Sequence, residues 1–283
     1  MVLILAAAFC MALLFLLFKV FHRRGVPLLP TIVINYFVAL ACGTIVAPAW
    51  EAGALDHLVT PVLVLGILFI TLFYLTGIST QLAGVAATSV ASKMSLVLTV
   101  AASVVFYDET PGPIGWAGIA LALVGVVLSS WPRGTEGARG TWLLPLLLFL
   151  GNAAIDIVLN HTQRMHLKPE TEAVFPTLVF GVAGVFGLIR LLLSGERGEL
   201  GRPRVLLGGV LLGSINYASL YFIVGALARS GLAASSVFPL MNIGVILFGT
   251  AASMAVFRER LSRVQWIGVG CAVLAMMLIL QAG

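Results

Sequence analysis

Lys93 and Asp156 are the two charged residues that lie deep inside long apolar runs of this sequence. Each costs about 2.5–3.5 kcal/mol at the centre of a membrane-spanning helix. Groups of this kind face a bundle interior or a cavity, where they pair or bind. Asn152, Asp156 and Asn160 recur at i, i+4 and i+8, so they stack on one helix face. Ile155, Val158 and Leu159 fall on the opposite face. A polar stripe of this kind marks a wet cavity wall or, alternatively, a line of interhelical hydrogen bonds. Lys93 stands among Ser89, Ser92, Met94 and Ser95, and Ser89 shares its face. An intramembrane ammonium suits a carboxylate or phosphate of a solute, or Asp156 itself as a fixed ion pair. A desolvated lysine also gives up its proton readily, which leaves proton or ion coupling open.

Weaker polar candidates sit in other apolar runs: Asn35 with Tyr36, Tyr74, Asn216 with Tyr217, Tyr221 and Asn242. Each serves equally well as a satisfied core amide or hydroxyl. Catalytic signatures do not occur: there is no HExxH, GxSxG, Walker loop or GxGxxG. The four histidines, His22, His57, His161 and His166, lie at segment ends or in loops and form no metal-ligand pair by spacing. Cys10, Cys42 and Cys271 all fall within apolar runs and read as small hydrophobes. Glu109 and Glu259 follow aromatic residues at segment ends and read as turn groups. No catalytic residue, cofactor or metal is expected. Without a Walker loop, a driving force must come from an ion or solute gradient or from another subunit.

The elements that position these residues follow from composition. The chain has 283 residues, 60% hydrophobic and 10% charged, with mean hydropathy +1.11. A soluble domain carries about 25% charged residues, so an ordinary soluble enzyme is excluded. Ten apolar segments are predicted at 2–18, 28–48, 60–80, 85–106, 113–131, 141–161, 173–191, 205–228, 231–256 and 264–281. Each is a helix, because backbone in lipid must satisfy its own hydrogen bonds and the runs do not alternate as barrel strands do. The first run has no basic leader or small-residue cleavage site and is expected to stay as a helix. The excess of 16 Lys+Arg over 11 Asp+Glu lies in short gaps, so it reports topology rather than nucleic-acid binding.

The two halves also resemble each other. Gly84-Val85-Ala86-Ala87-Thr88-Ser89-Val90 matches Gly231-Leu232-Ala233-Ala234-Ser235-Ser236-Val237, and Met94-Ser95 falls on Met241-Asn242. Phe106-Tyr107-Asp108-Glu109 matches Val256-Phe257-Arg258-Glu259, Trp116-Ala117-Gly118 matches Trp266-Ile267-Gly268, and Tyr74 aligns with Tyr221. The reading is an all-α membrane protein of ten helices in two five-helix repeats, 1–133 and 134–283. An odd helix number per repeat inserts the second copy upside down, as in secondary transporters.

These residues carry a family resemblance. The small-residue run opening segment four, the acidic turn Phe106-Tyr107-Asp108-Glu109, and Trp116 with Gly118 resemble the EamA-like drug/metabolite transporter superfamily. The second copy is closer still, through Ser235-Ser236-Val237-Phe238-Pro239, Phe257-Arg258-Glu259-Arg260-Leu261 and Gln265-Trp266-Ile267-Gly268. The resemblance implies a transporter of small metabolites, amino acids or drugs in a bacterial inner membrane. Its partners would be a small-molecule solute, the lipid bilayer and a coupling proton or ion. Oligomeric state leaves no trace in the sequence. Two rival readings are a lipid-acting membrane enzyme, for which no nucleophile with a base is found, and a structural or regulatory protein on the same scaffold.

Counting Lys and Arg in alternate gaps gives an orientation. Lys19, Arg23, Arg24, Arg133, Arg139, Arg190, Arg197, Arg202, Arg204, Arg258, Arg260 and Arg263 lie on one side, against Arg164, Lys168 and Arg229 on the other. The positive-inside rule makes the first side cytoplasmic and both termini external. Lys93 is then about eight residues, roughly 12 Å, into its segment, and Asp156 about fifteen residues, roughly 22 Å. Both are expected to face a central cavity, with direct contact dependent on conformational state or a bridging group.

Overall fold

The computed structural model describes residues 1–46, 55–107, 112–129, 131, 143–166, 171, 174–230 and 234–282. Asp108, Glu109, the charged gap at 132–140 and Lys168 lie outside the described residues. Among those described there is no strand. The described residues form eleven α-helices in order: α1 (Val2–Arg23), α2 (Leu28–Val46), α3 (Val59–Leu82), α4 (Val85–Met94), α5 (Leu96–Tyr107), α6 (Pro113–Ser129), α7 (Leu143–Met165), α8 (Phe175–Leu192), α9 (Pro203–Arg229), α10 (Ala234–Phe257) and α11 (Arg263–Ala282). Two of them, α4 and α5, divide one apolar segment, Val85–Ala102. Among the described residues nine stretches are long and apolar enough to cross a membrane, and Pro113–Ser129 is a shorter apolar helix. Together they match the ten segments expected from sequence.

Helix ends follow local chemistry. α1 runs past the expected end at residue 18 and stops at a Schellman turn. There the Val26 N–H donates to the Phe21 carbonyl at 2.9 Å and the Gly25 N–H to the His22 carbonyl at 3.2 Å. Gly25 takes φ 60°, which costs a residue without a Cβ little, and Pro27 then blocks continuation. His22 and Arg23 occupy the last turn, where cations oppose the negative end of the helix dipole. α6 and α9 both begin with proline, whose missing N–H is not needed in the first turn.

The chain forms two compact units, each drawing helices from both sequence halves. Unit 1 comprises Met1–Lys19, Thr76–Ala154 and Ala218–Gly283; unit 2 comprises Val20–Leu75 and Ile155–Tyr217. In unit 1, α6 packs on α11 and α4 on α10. A Cβ on Gly118 would meet Ile279 at 3.0 Å, and one on Gly268 would collide with the Ser129 backbone. The two helices are therefore antiparallel, with small residues letting their backbones approach. Ala122, Val126, Ala272 and Met276 fill the seam. A second core joins Ile4, Ala8 and Phe15 of α1 to Ile223 of α9 and Met241 and Val245 of α10. In unit 2, α2 packs on α8 through Gly43 against Thr177, Gly184 against Tyr36 and Phe37, and Gly187 against Val33. Leu65 and Leu72 of α3, Ile155 and Val158 of α7, and Phe175 and Val179 of α8 share another core. Ile155, Val158 and Leu159 of α7 are thus packed inside unit 2.

Candidate functional site

Unit 1 holds its polar cluster where two helices lose regularity. α4 ends at Met94 and α5 resumes at Leu96, while Ser95 keeps helical dihedrals of φ −50° and ψ −31°. The Leu98 N–H donates three residues back to the Ser95 carbonyl at 2.9 Å, a tightened turn. The Ser95 hydroxyl donates to the Ser92 carbonyl at 2.9 Å. On the facing helix, Pro239 lies inside α10 and cannot donate to the carbonyl one turn earlier. Lys93 is half-buried at this point. Its Nζ lies 3.5 Å from the Met11 sulfur, and its carbonyl accepts from Asn242 Nδ2 at 3.5 Å. The buried Ser92 hydroxyl oxygen has no hydrogen-bond partner among the described residues. Lys93 and Asn242, picked separately from sequence, are brought together here.

A second cluster in unit 1 was not anticipated. Lys19 Nζ lies 3.3 Å from Glu259 Oε1, with side chains only 17% and 9% exposed. The same ammonium donates to the Gln81 carbonyl at 3.3 Å. Glu259 follows Arg258, which takes φ 55°, and its N–H donates to the Ser253 carbonyl at 3.3 Å. This turn folds the carboxylate inward toward Gly84, itself at φ 95°. Glu259 is a turn group as expected, but its carboxylate is buried against a cation rather than solvated. Nearby, the Ser79 and Thr88 hydroxyls form a buried hydrogen bond of 2.8 Å.

Unit 2 pairs two other expected residues. Asn216 Nδ2 donates to Asn35 Oδ1 at 3.2 Å. Asn35 is fully buried, and neither its Nδ2 nor the neighbouring Tyr36 hydroxyl has a partner among the described residues. Tyr36 is held between Phe73 and Phe180, with ring centroids 5.7 and 6.1 Å away. Tyr74 is half-buried beneath Arg190, whose guanidinium carbon is 5.6 Å from the ring centroid. Asp156 and Asn160 are half-buried on α7 in unit 2, and Asn152 belongs to unit 1. Asn152 Nδ2 donates to the Leu148 carbonyl of its own helix at 2.8 Å. Tyr221 is 53% exposed, beside Phe222. The His161 and His166 rings approach to 6.1 Å, although no group of three metal-ligating side chains gathers among the described residues.

Residues 1–131 match the model of the EamA-like transporter family. That first stretch is similar to a family within the drug/metabolite transporter superfamily. An uncharacterised protein of Haemophilus influenzae is 23% identical over 273 residues, covering 93% of this chain and 92% of the relative. A protein of known crystal structure superposes with TM-score 0.61 at 18% identity, covering 98% of this chain and 96% of its own. That likeness concerns the fold. The matched family is one of membrane transporters, and the long apolar helices among the described residues make this chain a multi-pass integral membrane protein.

Proposed function

We propose that the protein is a secondary transporter without an enzymatic step. It moves a small metabolite, amino acid-like or drug-like solute by alternating access across a bacterial inner membrane. One observation carries this reading. Lys93 stands half-buried within a spanning segment where α4 breaks at Ser95, and Asn242 of the proline-interrupted α10 reaches its carbonyl. Interrupted helices near the membrane midplane are where transporters hold solutes. In this reading Lys93 holds an anionic group of the solute, while Asp156 responds to a cation, a proton or a solute amine. Asn35, Asn152, Asn160, Tyr74, Asn216, Tyr221 and Asn242 supply the further polar contacts.

The transport cycle would use residues 1–133 and 134–283 as inverted five-helix repeats. The packing inside each unit supports this. If Trp116 is equivalent to Trp266, then Gly118 is equivalent to Gly268 and Ser129 to Ile279. Gly118 lies against Ile279 and Gly268 against Ser129, which is the reciprocal contact a two-fold axis produces. The spacing that relates Tyr74 to Tyr221 also relates Phe37 to Gly184, and these two touch where α2 crosses α8. α4 meets α10 close to the matched pairs Met94-Ser95 and Met241-Asn242.

The test is substitution of each charge. Lys93→Ala and Asp156→Asn should each abolish solute flux in proteoliposomes while the protein still reaches the membrane. If the double substitution restores flux, the two charges form a structural ion pair and the solute-binding roles are wrong.

A further inference from the structure

Unit 2 carries a groove that shares only Tyr74 with the residues assigned to the transported solute. It has a volume of about 620 Å³, within the range of small-molecule sites. Leu29 of α2, Ile70 of α3 and Phe186 of α8 wall it, and it opens past Ile67 and Ile189. Those last two are 44% and 49% exposed, so the mouth is an apolar face on spanning helices. The polar end is made by Tyr74, Arg190 and Ser194. Arg190 stacks over Tyr74, and no described carboxylate pairs with it. Stacking occupies the face of a guanidinium and leaves its in-plane N–H fork for an oxyanion.

The surrounding charge has the same sign. The end of α1, the end of α8 and the loop into α9 supply Arg23, Arg24, Arg197, Arg202 and Arg204. The acids there are Glu196 and Glu199, and Glu199 is already held by Arg202 at 2.8 Å. This is also the side that the positive-inside count makes cytoplasmic. Basic pockets between spanning helices at that boundary suit anionic headgroups, and juxtamembrane cations draw them in.

The geometry points to a binding site for an anionic phospholipid, with the phosphate at Arg190 and an acyl chain in the groove past Ile67 and Phe186. The apolar walls need a chain, which a soluble phosphate lacks. The charge selects against zwitterionic lipid. The site shares Tyr74 with the transport reading, and its readout, lipid binding, is separate from solute flux.

Native mass spectrometry of the full-length protein, released from detergent with added lipid, tests this. Dioleoylphosphatidylglycerol should bind about tenfold more tightly than dioleoylphosphatidylcholine, the size of one hydrogen bond to a charged group. Arg190→Gln should erase that preference, and Arg190 is exposed enough for the variant to fold. Ile67→Trp, which fills the mouth, should weaken binding of both lipids. Glycerol 1-phosphate should not compete. Equal binding of the two lipids, an unchanged preference in Arg190→Gln, or displacement by glycerol 1-phosphate would overturn the assignment.

Discussion

Replacing Glu259 by glutamine keeps the shape of the side chain and removes its charge. In the folded protein Lys19 would then lose its counter-charge and keep neutral acceptors such as the Gln81 carbonyl, 3.3 Å away, in a setting where its side chain is 17% exposed. Surface ion pairs contribute about 0–1 kcal/mol, whereas breaking a fully buried pair costs about 3–5 kcal/mol. With side chains 17% and 9% exposed, this pair belongs between those limits, at about 2 kcal/mol. Near the melting point such a loss lowers Tm by roughly 3–4 °C for a chain of this size. Thermal unfolding in detergent, followed by the fluorescence of the five tryptophans, reads the change. Lys19→Met should cost a similar amount, because it strands a carboxylate already without a hydrogen-bond partner. The combined Lys19→Met/Glu259→Gln protein should be more stable than either single variant, since removing both charges removes the desolvation cost as well. A Glu259→Gln loss below about 0.5 kcal/mol, or a double variant that loses the sum of the two singles, would refute the coupling inferred from burial.

Packing and topology give further expectations. Gly268→Ala drives a Cβ into the Ser129 backbone and should destabilise the protein by about 1–3 kcal/mol. Gly270→Ala, with nothing within 4 Å of its added Cβ, should be near neutral or mildly stabilising; the same melting assay compares the two. For orientation, Gly283→Cys in a background lacking Cys10, Cys42 and Cys271 should react with an impermeant maleimide on intact cells. Protection of that cysteine until the cells are opened would reverse the proposed topology.

Much of the fold was legible because lipid imposes a simple rule: about 20 apolar residues per crossing and no unsatisfied backbone. The ten segments and their helical character follow from it. The longer reach of α1 was less visible, since an apolar window ends at Lys19 even though the stop signal is Gly25-Val26-Pro27. The break at Ser95 leaves no mark, because serine there keeps helical dihedrals. Lys93 and Asp156 stood out by the cost of burying charge. The Lys19–Glu259 pair did not, because both residues sit at segment ends and become buried only through tertiary contact. Tyr74 stands out by its spacing to Tyr221, whereas its stacking partner Arg190 lies at a segment end, where a cation reads as a topology charge. The compact units also cut across the proposed repeat boundary at 133/134, since a duplication of the proposed kind would fix which helices correspond, not which helices pack.

The central claim is that Lys93 serves a transported solute. Purified wild-type protein should be screened by thermal shift against amino acids, organic acids, sugar phosphates, nucleotides and amines, with any hit carried into flux assays without ATP. A true solute stabilises by about 2.7 kcal/mol at a hundredfold excess over its dissociation constant. The expected hit carries an anionic group, moves down its own or an ion gradient through the wild type, and neither stabilises nor crosses Lys93→Ala. A hit that Lys93→Ala binds and moves as well as the wild type, or a panel in which no solute shifts the wild type, would contradict it.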